Sequence, residues 1–161
     1  MFTVAMWADG SCNNPTRQGG WCAIVSARND GVTETDIAEL VHIAHLSLSD
    51  TRTDIEDFDG DNKLRAKVSI LRGREENTTD QRMELIAILK GLEAFTKPCH
   101  VRIVTDSAYA IGCLGGSYKV EANLDLINEW KVRTRGFIVD LIHVSSNNPL
   151  IEWCNRLAHG S

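Results

Sequence analysis

The chain has 161 residues, 43% of them hydrophobic, a formal charge of −5 and 5 cysteines. That length suits one domain with a core that needs no staple, no apolar run approaches the roughly twenty residues of a membrane span, and no basic segment with a cleavage site marks the N-terminus as a secretion signal. Cys12, Cys22, Cys99, Cys113 and Cys154 are odd in number and widely spaced, which points to free thiols in the cytoplasm or another intracellular compartment, while the acidic balance excludes an evenly basic surface but not a local nucleic-acid face.

Residues 2–8 read as a buried central strand, with Thr3 and Val4 favouring extended backbone and Asp9-Gly10 ending it in a carboxylate and a permissive turn. Such a carboxylate is either a turn aspartate bonding its own backbone or a displayed ligand, and the second needs other carboxylates to converge on it. Polar residues 11–20, with Asn13-Asn14-Pro15 and Gly19-Gly20, lead to a second strand at 21–27, paired as an antiparallel hairpin, and Asn29-Asp30-Gly31 marks a turn beyond it. Ile37, Leu40, Val41, Ala44 and Leu48 then lie at helical spacing over 36–48. Residues 51–62 gather Asp54, Glu56, Asp57, Asp59 and Asp61 around Phe58. A calcium loop fails here: counted from Asp57, Gly60 is fourth rather than sixth and Val68 stands where glutamate should close it, so a solvated acidic loop is expected. Residues 68–71 form a third short strand.

Thr78-Thr79-Asp80 supplies a helix cap, and 81–95 carries Leu85, Ile88, Leu89, Leu92 and Phe95 along one stripe until Lys97-Pro98 stops it. A buried strand at 100–105 follows, parallel to the first if that helix is a crossover, and ends in Asp106-Ser107. A short helix at 107–114 is broken by Gly115-Gly116; another at 122–131, a last strand at 137–144, a loop with Asn147-Asn148-Pro149 and a terminal helix at 150–159 complete a mixed sheet flanked by helices. Ligands of such sheets gather outside the carboxyl ends of strands. Asp9 and Asp106 follow strands that become neighbours, and Glu84 lies one turn inside the connecting helix. Three carboxylates there repel one another unless a proton or cation is supplied; oxygen donors suit magnesium or manganese, and no histidine-cysteine cluster favours zinc. Separate caps and helix-surface charges are the alternative reading.

Asp9-Gly10-Ser11-Cys12 followed by Asn14-Pro15, the run Thr78-Thr79-Asp80-Gln81-Arg82-Met83-Glu84-Leu85, Thr105-Asp106-Ser107, and Glu152-Trp153-Cys154-Asn155-Arg156-Leu157-Ala158 together resemble the motifs of the type 1 ribonuclease H family in order and placement. The resemblance covers most of the chain outside 33–67. It implies a ribonuclease H-like α/β fold, a five-stranded mixed sheet with helices on both faces, and a metal-dependent endonuclease hydrolysing the RNA strand of RNA–DNA hybrids. Carried over by position, it puts the catalytic and metal-binding roles on Asp9, Glu84, Asp106 and Asn155, with two Mg²⁺ ions in the catalytic complex and Mn²⁺ as a substitute. One ion would assist attack on the scissile phosphate and the other would stabilise the leaving 3′ oxygen. Asn14 and Gln81 resemble hybrid contacts, with backbone groups near Cys12 and Asn13 as further candidates; neutral donors and acceptors near 2′-hydroxyls would select duplex form rather than base sequence.

Four departures from the family pattern matter. Asn155 stands where a fourth carboxylate is expected, and an amide oxygen brings no full charge to a cation, so a hybrid-binding module with weak or absent catalysis is the alternative to an efficient nuclease. The position of a mobile loop histidine falls on Ser145, with His143 two residues upstream reading as an ordinary histidine. Ala108 replaces a frequent glutamine, and 115–135 is too short and too mixed in charge for a basic protrusion; Lys119, Lys131, Arg133 and Arg135 fit phosphate contacts or a solvated face equally. Residues 33–67 are expected to be an insertion remote from the carboxylates, its helix docked by Ile37, Leu40, Val41 and Ala44. A monomer is expected, from a cellular or viral source.

Overall fold

The computed structural model describes residues 3–28, 32–47 and 49–159. In chain order these form β1 (Thr3–Asn13), β2 (Gln18–Arg28), α1 (Glu34–Ile43), β3 (Arg52–Phe58), β4 (Leu64–Glu75), α2 (Asp80–Leu92), β5 (His100–Thr105), α3 (Ala108–Leu114), α4 (Leu124–Arg133), β6 (Ile138–His143) and α5 (Pro149–Ala158). Phe2, the turn at 29–31 and Leu48 lie outside the described residues.

The strands join in one sheet of order β3-β4-β2-β1-β5-β6. β1, β2, β4 and β3 pair antiparallel, whereas β1–β5 and β5–β6 are parallel. The α2 crossover makes β1 and β5 parallel neighbours, as the apolar stripe on that helix requires. This is the mixed α/β fold with flanking helices expected from the sequence.

The strand count is not as expected. The sheet has six strands rather than five, because the acidic stretch is an edge strand and not a loop. Along β3, Thr53, Ile55 and Asp57 turn partly inward while Arg52, Asp54, Glu56 and Phe58 face solvent. The acids are compensated across the hairpin: Arg65 Nε bonds Asp57 at 2.9 Å, the Ser69 hydroxyl donates to Asp54 at 2.6 Å, and Glu56 stands opposite Lys67. Opposite-charge cross-strand pairs of this kind support an edge strand. Asp59 then closes the turn, its Oδ1 accepting from the Asp61 and Lys63 amides.

Apolar residues fill both faces. Val4, Met6 and Ala8 of β1 pack with Met83, Ile86, Ala87 and Trp130 under α2 and α4, whereas Ala5 and Trp7 pack with Ile37, Val41, Leu150 and Ile151 under α1 and α5. A strand covered on both sides reads as a continuous apolar run, and its alternation sends Asp9 to the α5 side, with Ala5 and Trp7.

α5 is held at both ends. The Asn148 side chain accepts from the Leu150 and Ile151 amides and donates to Glu34 at 2.7 Å, so one residue caps α5 and ties it to α1. At the far end Arg72, buried, donates to the Leu157 carbonyl at 2.9 Å, and Arg74 to the His159 carbonyl at 3.1 Å, meeting the negative end of the helix. α1 begins with a Thr33–Asp36 capping box and ends at Ile43, short of the expected extent. Ile37 and Val41 are its buried anchors, with Leu40 packed beside them. The helix of this segment therefore docks directly on α5.

Candidate active site

β1 does not end at Asp9, which pairs with Cys22 while the strand runs on to Asn13. What ends there is the partnership with β5: the last parallel pair is Trp7 with Val104. Asp9 thus lies where two parallel strands part, and Asp106 follows directly on β5. Gly10 lets α2 close over this point, since a Cβ on it would overlap the Met83 carbonyl and the Glu84 amide.

Asp9 is 5% exposed. Its Oδ1 accepts from the Gly10 amide at 2.9 Å and its Oδ2 from Asn155 Nδ2 at 3.2 Å. Burial, and then the charge of Asp106, push its pKa up to about 7 against those two bonds, with Glu84 adding to the rise. Glu84 is half-buried on α2, and Ser107 Oγ donates to it at 2.7 Å while accepting from the Ala110 amide as the cap of α3. Burial raises the Glu84 pKa, and Asp106 and Asp80 raise it further, against the lowering by Ser107. Three of the four residues expected at the site therefore act on one another electrostatically, and the fourth, Asn155, touches Asp9.

Asp9, Asp106 and Asn155 line an open pocket of about 530 Å³ with Ser146, Ile151, Glu152, Arg156 and His159; Glu84 is not on its wall. Among the described residues, no group of three or more His, Cys, Asp and Glu side chains is placed so as to hold a metal ion by itself. The carboxylates of Asp9 and Asp106 put hard oxygen donors at the pocket where β1 and β5 part. That set fits magnesium, which is commonly held by one or two carboxylates with water and substrate phosphate completing its shell.

The proposed hybrid contacts lie apart from this pocket. Cys12 and Asn13 line a neighbouring one of about 340 Å³ with Ser11, Thr16, Gln18 and Arg74, and His159 borders both. The Cys12 amide is already given to Asp80 at 2.6 Å, and its thiol to the Thr78 carbonyl at 3.3 Å, so this backbone donor is committed within the protein. Asn13 shapes its turn, accepting from the Thr16 and Arg17 amides. Asn14 and Gln81 are exposed, the latter in the first turn of α2. His143 ends β6 with Nε2 at 3.2 Å from the Asp106 carbonyl, a contact the strand position alone did not reveal.

Sequence reading missed Ser107 as the partner of Glu84, and Glu152, Arg156 and His159 as pocket residues. A signal for the last three existed. Residues 151, 155 and 159, and 152 and 156, are one turn apart, so any helix presenting Asn155 to Asp9 presents them too.

A family model described as RNase H matches residues 60–145, just over half of the 161 residues, a range that includes Glu84 and Asp106 but neither Asp9 nor Asn155. A ribonuclease H of Caldicellulosiruptor saccharolyticus is 31% identical over 118 residues, 73% of this chain and 56% of that protein. One from Campylobacter curvus is 26% identical across 98% of this chain and 91% of its own. The chain thus spans little more than half of the first of these relatives and nearly all of the second. Among solved structures, the N-terminal RNase H domain of a Mycobacterium tuberculosis protein, fused to maltose-binding protein, matches with a TM-score of 0.62 at 15% identity, covering 99% of this chain and 92% of that one. That likeness concerns the fold alone. On the family match, the chain belongs to the RNase H family.

Proposed function

We propose that this protein binds RNA–DNA hybrids and hydrolyses their RNA strand only weakly, because Asn155 occupies Asp9 with a hydrogen-bond donor where a carboxylate would add charge. The observation that carries this reading is the 3.2 Å bond from Asn155 Nδ2 to Asp9 Oδ2. In that orientation the amide neutralises part of the Asp9 charge. Turned over, it offers a carbonyl oxygen without a net charge. Either way a divalent cation gains less from α5 than a carboxylate would give.

Asp9 and Asp106 would hold Mg²⁺, or Mn²⁺ in its place, with Glu84 reaching from α2 and Asn155 contributing weakly. When bound, such ions supply Lewis-acid activation of water and stabilisation of the leaving 3′ oxygen, giving 5′-phosphate and 3′-hydroxyl ends. The chain's own residues set the conditions. With a pKa near 7, Asp9 carries a proton part of the time at neutral pH, so cation and proton compete for it. Ser107 fixes the Glu84 carboxylate, and Gly10 keeps α2 close enough for it to face Asp106. Asn14 and Gln81 offer neutral amides for 2′-hydroxyls, which distinguish RNA from DNA.

Efficient turnover is the competing reading, favoured by the mutual influence of Asp9, Glu84 and Asp106. Binding and cleavage measured in parallel on hybrid, single-stranded RNA and duplex RNA, across magnesium and manganese titrations, separate the two. The expected result is preferential hybrid binding with slow, metal-dependent cleavage. Cleavage of single-stranded RNA as readily as hybrid RNA would overturn the substrate assignment.

A further inference from the structure

The pocket wall supplied by α5 differs from the wall supplied by the sheet. β1 and the residue after β5 contribute the carboxylates of Asp9 and Asp106, while α5 contributes one carboxylate, Glu152, together with an amide, Asn155, and next to it a guanidinium, Arg156. Among the described residues that line the pocket, Arg156 is the permanent cation. Its Cζ lies 4.5 Å from the centre of the Trp153 ring, one turn back on the same helix. Trp153 in turn packs against the ring of His42 on α1, with centroids 5.8 Å apart and planes at 51°. α1 is pinned to the same helix by Glu34, which accepts from Asn148 at 2.7 Å and from the Trp7 indole at 2.8 Å. A chain of contacts thus runs from the segment read as an insertion to the rim of the pocket.

We infer that Arg156 anchors a backbone phosphate of the hybrid at the pocket, and that α1 serves the site by bracing Trp153, and through it Arg156, in place. The inference rests on the proposed hybrid binding. A phosphodiester entering a pocket lined by Asp9 and Asp106 meets repulsion unless a cation faces it. A guanidinium stacked on an indole meets it in a fixed orientation, loses less freedom on taking a phosphate than an unsupported side chain, and binds two oxygens at once. His42 and Trp153 are positioning residues here. Of these three, Arg156 alone touches the nucleic acid.

The test is equilibrium binding of a labelled hybrid to the full chain in EDTA, where metal-dependent cleavage cannot consume it, across a range of salt concentrations. Arg156→Ala should lower the slope of log affinity against log salt by about 0.9 and weaken low-salt binding about tenfold. Arg156→Lys should keep the slope but recover only part of the affinity, since an ammonium does not stack as a planar fork does. Trp153→Leu should lose affinity severalfold, Trp153→Phe should restore most of it, and Trp153→Leu combined with Arg156→Ala should bind no more weakly than Arg156→Ala alone. A parent that binds hybrid while Arg156→Ala retains its affinity and slope would overturn the anchor. Additive losses in the double variant would overturn the brace. A parent with no hybrid affinity at any salt would overturn the functional reading itself, and this inference with it.

Discussion

Asp54 and Asp57 on β3 each meet a partner across the hairpin, Ser69 for the first and Arg65 for the second, and the Ser69 hydroxyl, with Arg52, holds the Asp54 pKa below its usual value. Asp9 and Glu84 lie where β1, β5 and α2 meet, and their pKa values are raised by burial and by the charge of Asp106. The same functional group is thus compensated in one region and left facing its like in the other. Local density of acid is a poor guide to chemistry. Carboxylates clustered on an exposed edge strand are stabilised by neighbouring cations, whereas a few spread along the sequence are brought together by the fold and left needing a proton or cation.

The largest effect that should sharpen this contrast is a pH dependence. Burial and the charge of Asp106 push the Asp9 pKa up to about 7 in the folded chain, against 3.8 for an ordinary aspartate in the unfolded one. A raised pKa adds stability below the unfolded value and loses it as pH climbs through the folded one, so the chelated protein should weaken between about pH 4 and 7, by at most on the order of 4 kcal/mol. Asp9→Asn should flatten that decline and exceed the parent in stability at pH 8, as read from denaturant melts at a series of pH values. A variant less stable than the parent at pH 8 would mean that Asp9 is better compensated than its neighbours indicate.

Gly10→Ala comes next. The added methyl must displace α2 backbone beside Glu84, so a loss of about 2–3 kcal/mol is expected, together with weaker metal binding followed by calorimetry. Wild-type stability would show that α2 does not need this close approach. The smallest effect belongs to the other region: Asp54→Asn, on an exposed pair, should shift stability by less than about 1 kcal/mol and leave hybrid cleavage unchanged. A marked fall in cleavage would break the separation between the two acidic regions.

Much of the fold was legible because β1, β5 and α2 obey strong local rules. β1 carries an apolar run buried on both faces, β5 sets buried Val101, Ile103 and Val104 around an exposed Arg102, and α2 has a capped start and a regular stripe. β3 was not legible, since its acids obscured the alternation of Thr53, Ile55 and Asp57, and the basic residues that compensate them are reached only once β4 folds back. The separate carboxylates were visible as strand-end and helix residues, but not their circumstances. That Ser107 gives its hydroxyl to Glu84, that Asp80 takes the Cys12 amide, and that α1 leans on α5 through His42 and Trp153 are pairings between residues far apart in sequence. Periodicity carries no information about them.

The central claim is that Asn155 limits the site. It is tested most directly by hybrid cleavage rates across a magnesium titration for the parent and for Asn155→Asp, each with Asp106 intact or changed to Asn. Asn155→Asp should cleave faster at limiting magnesium, with a gain that narrows as the metal saturates and vanishes with Asp106→Asn. Rates for Asn155→Asp that are unchanged or lower at every magnesium concentration would contradict it, and would mean that a second carboxylate beside Asp9 adds more repulsion than cation affinity.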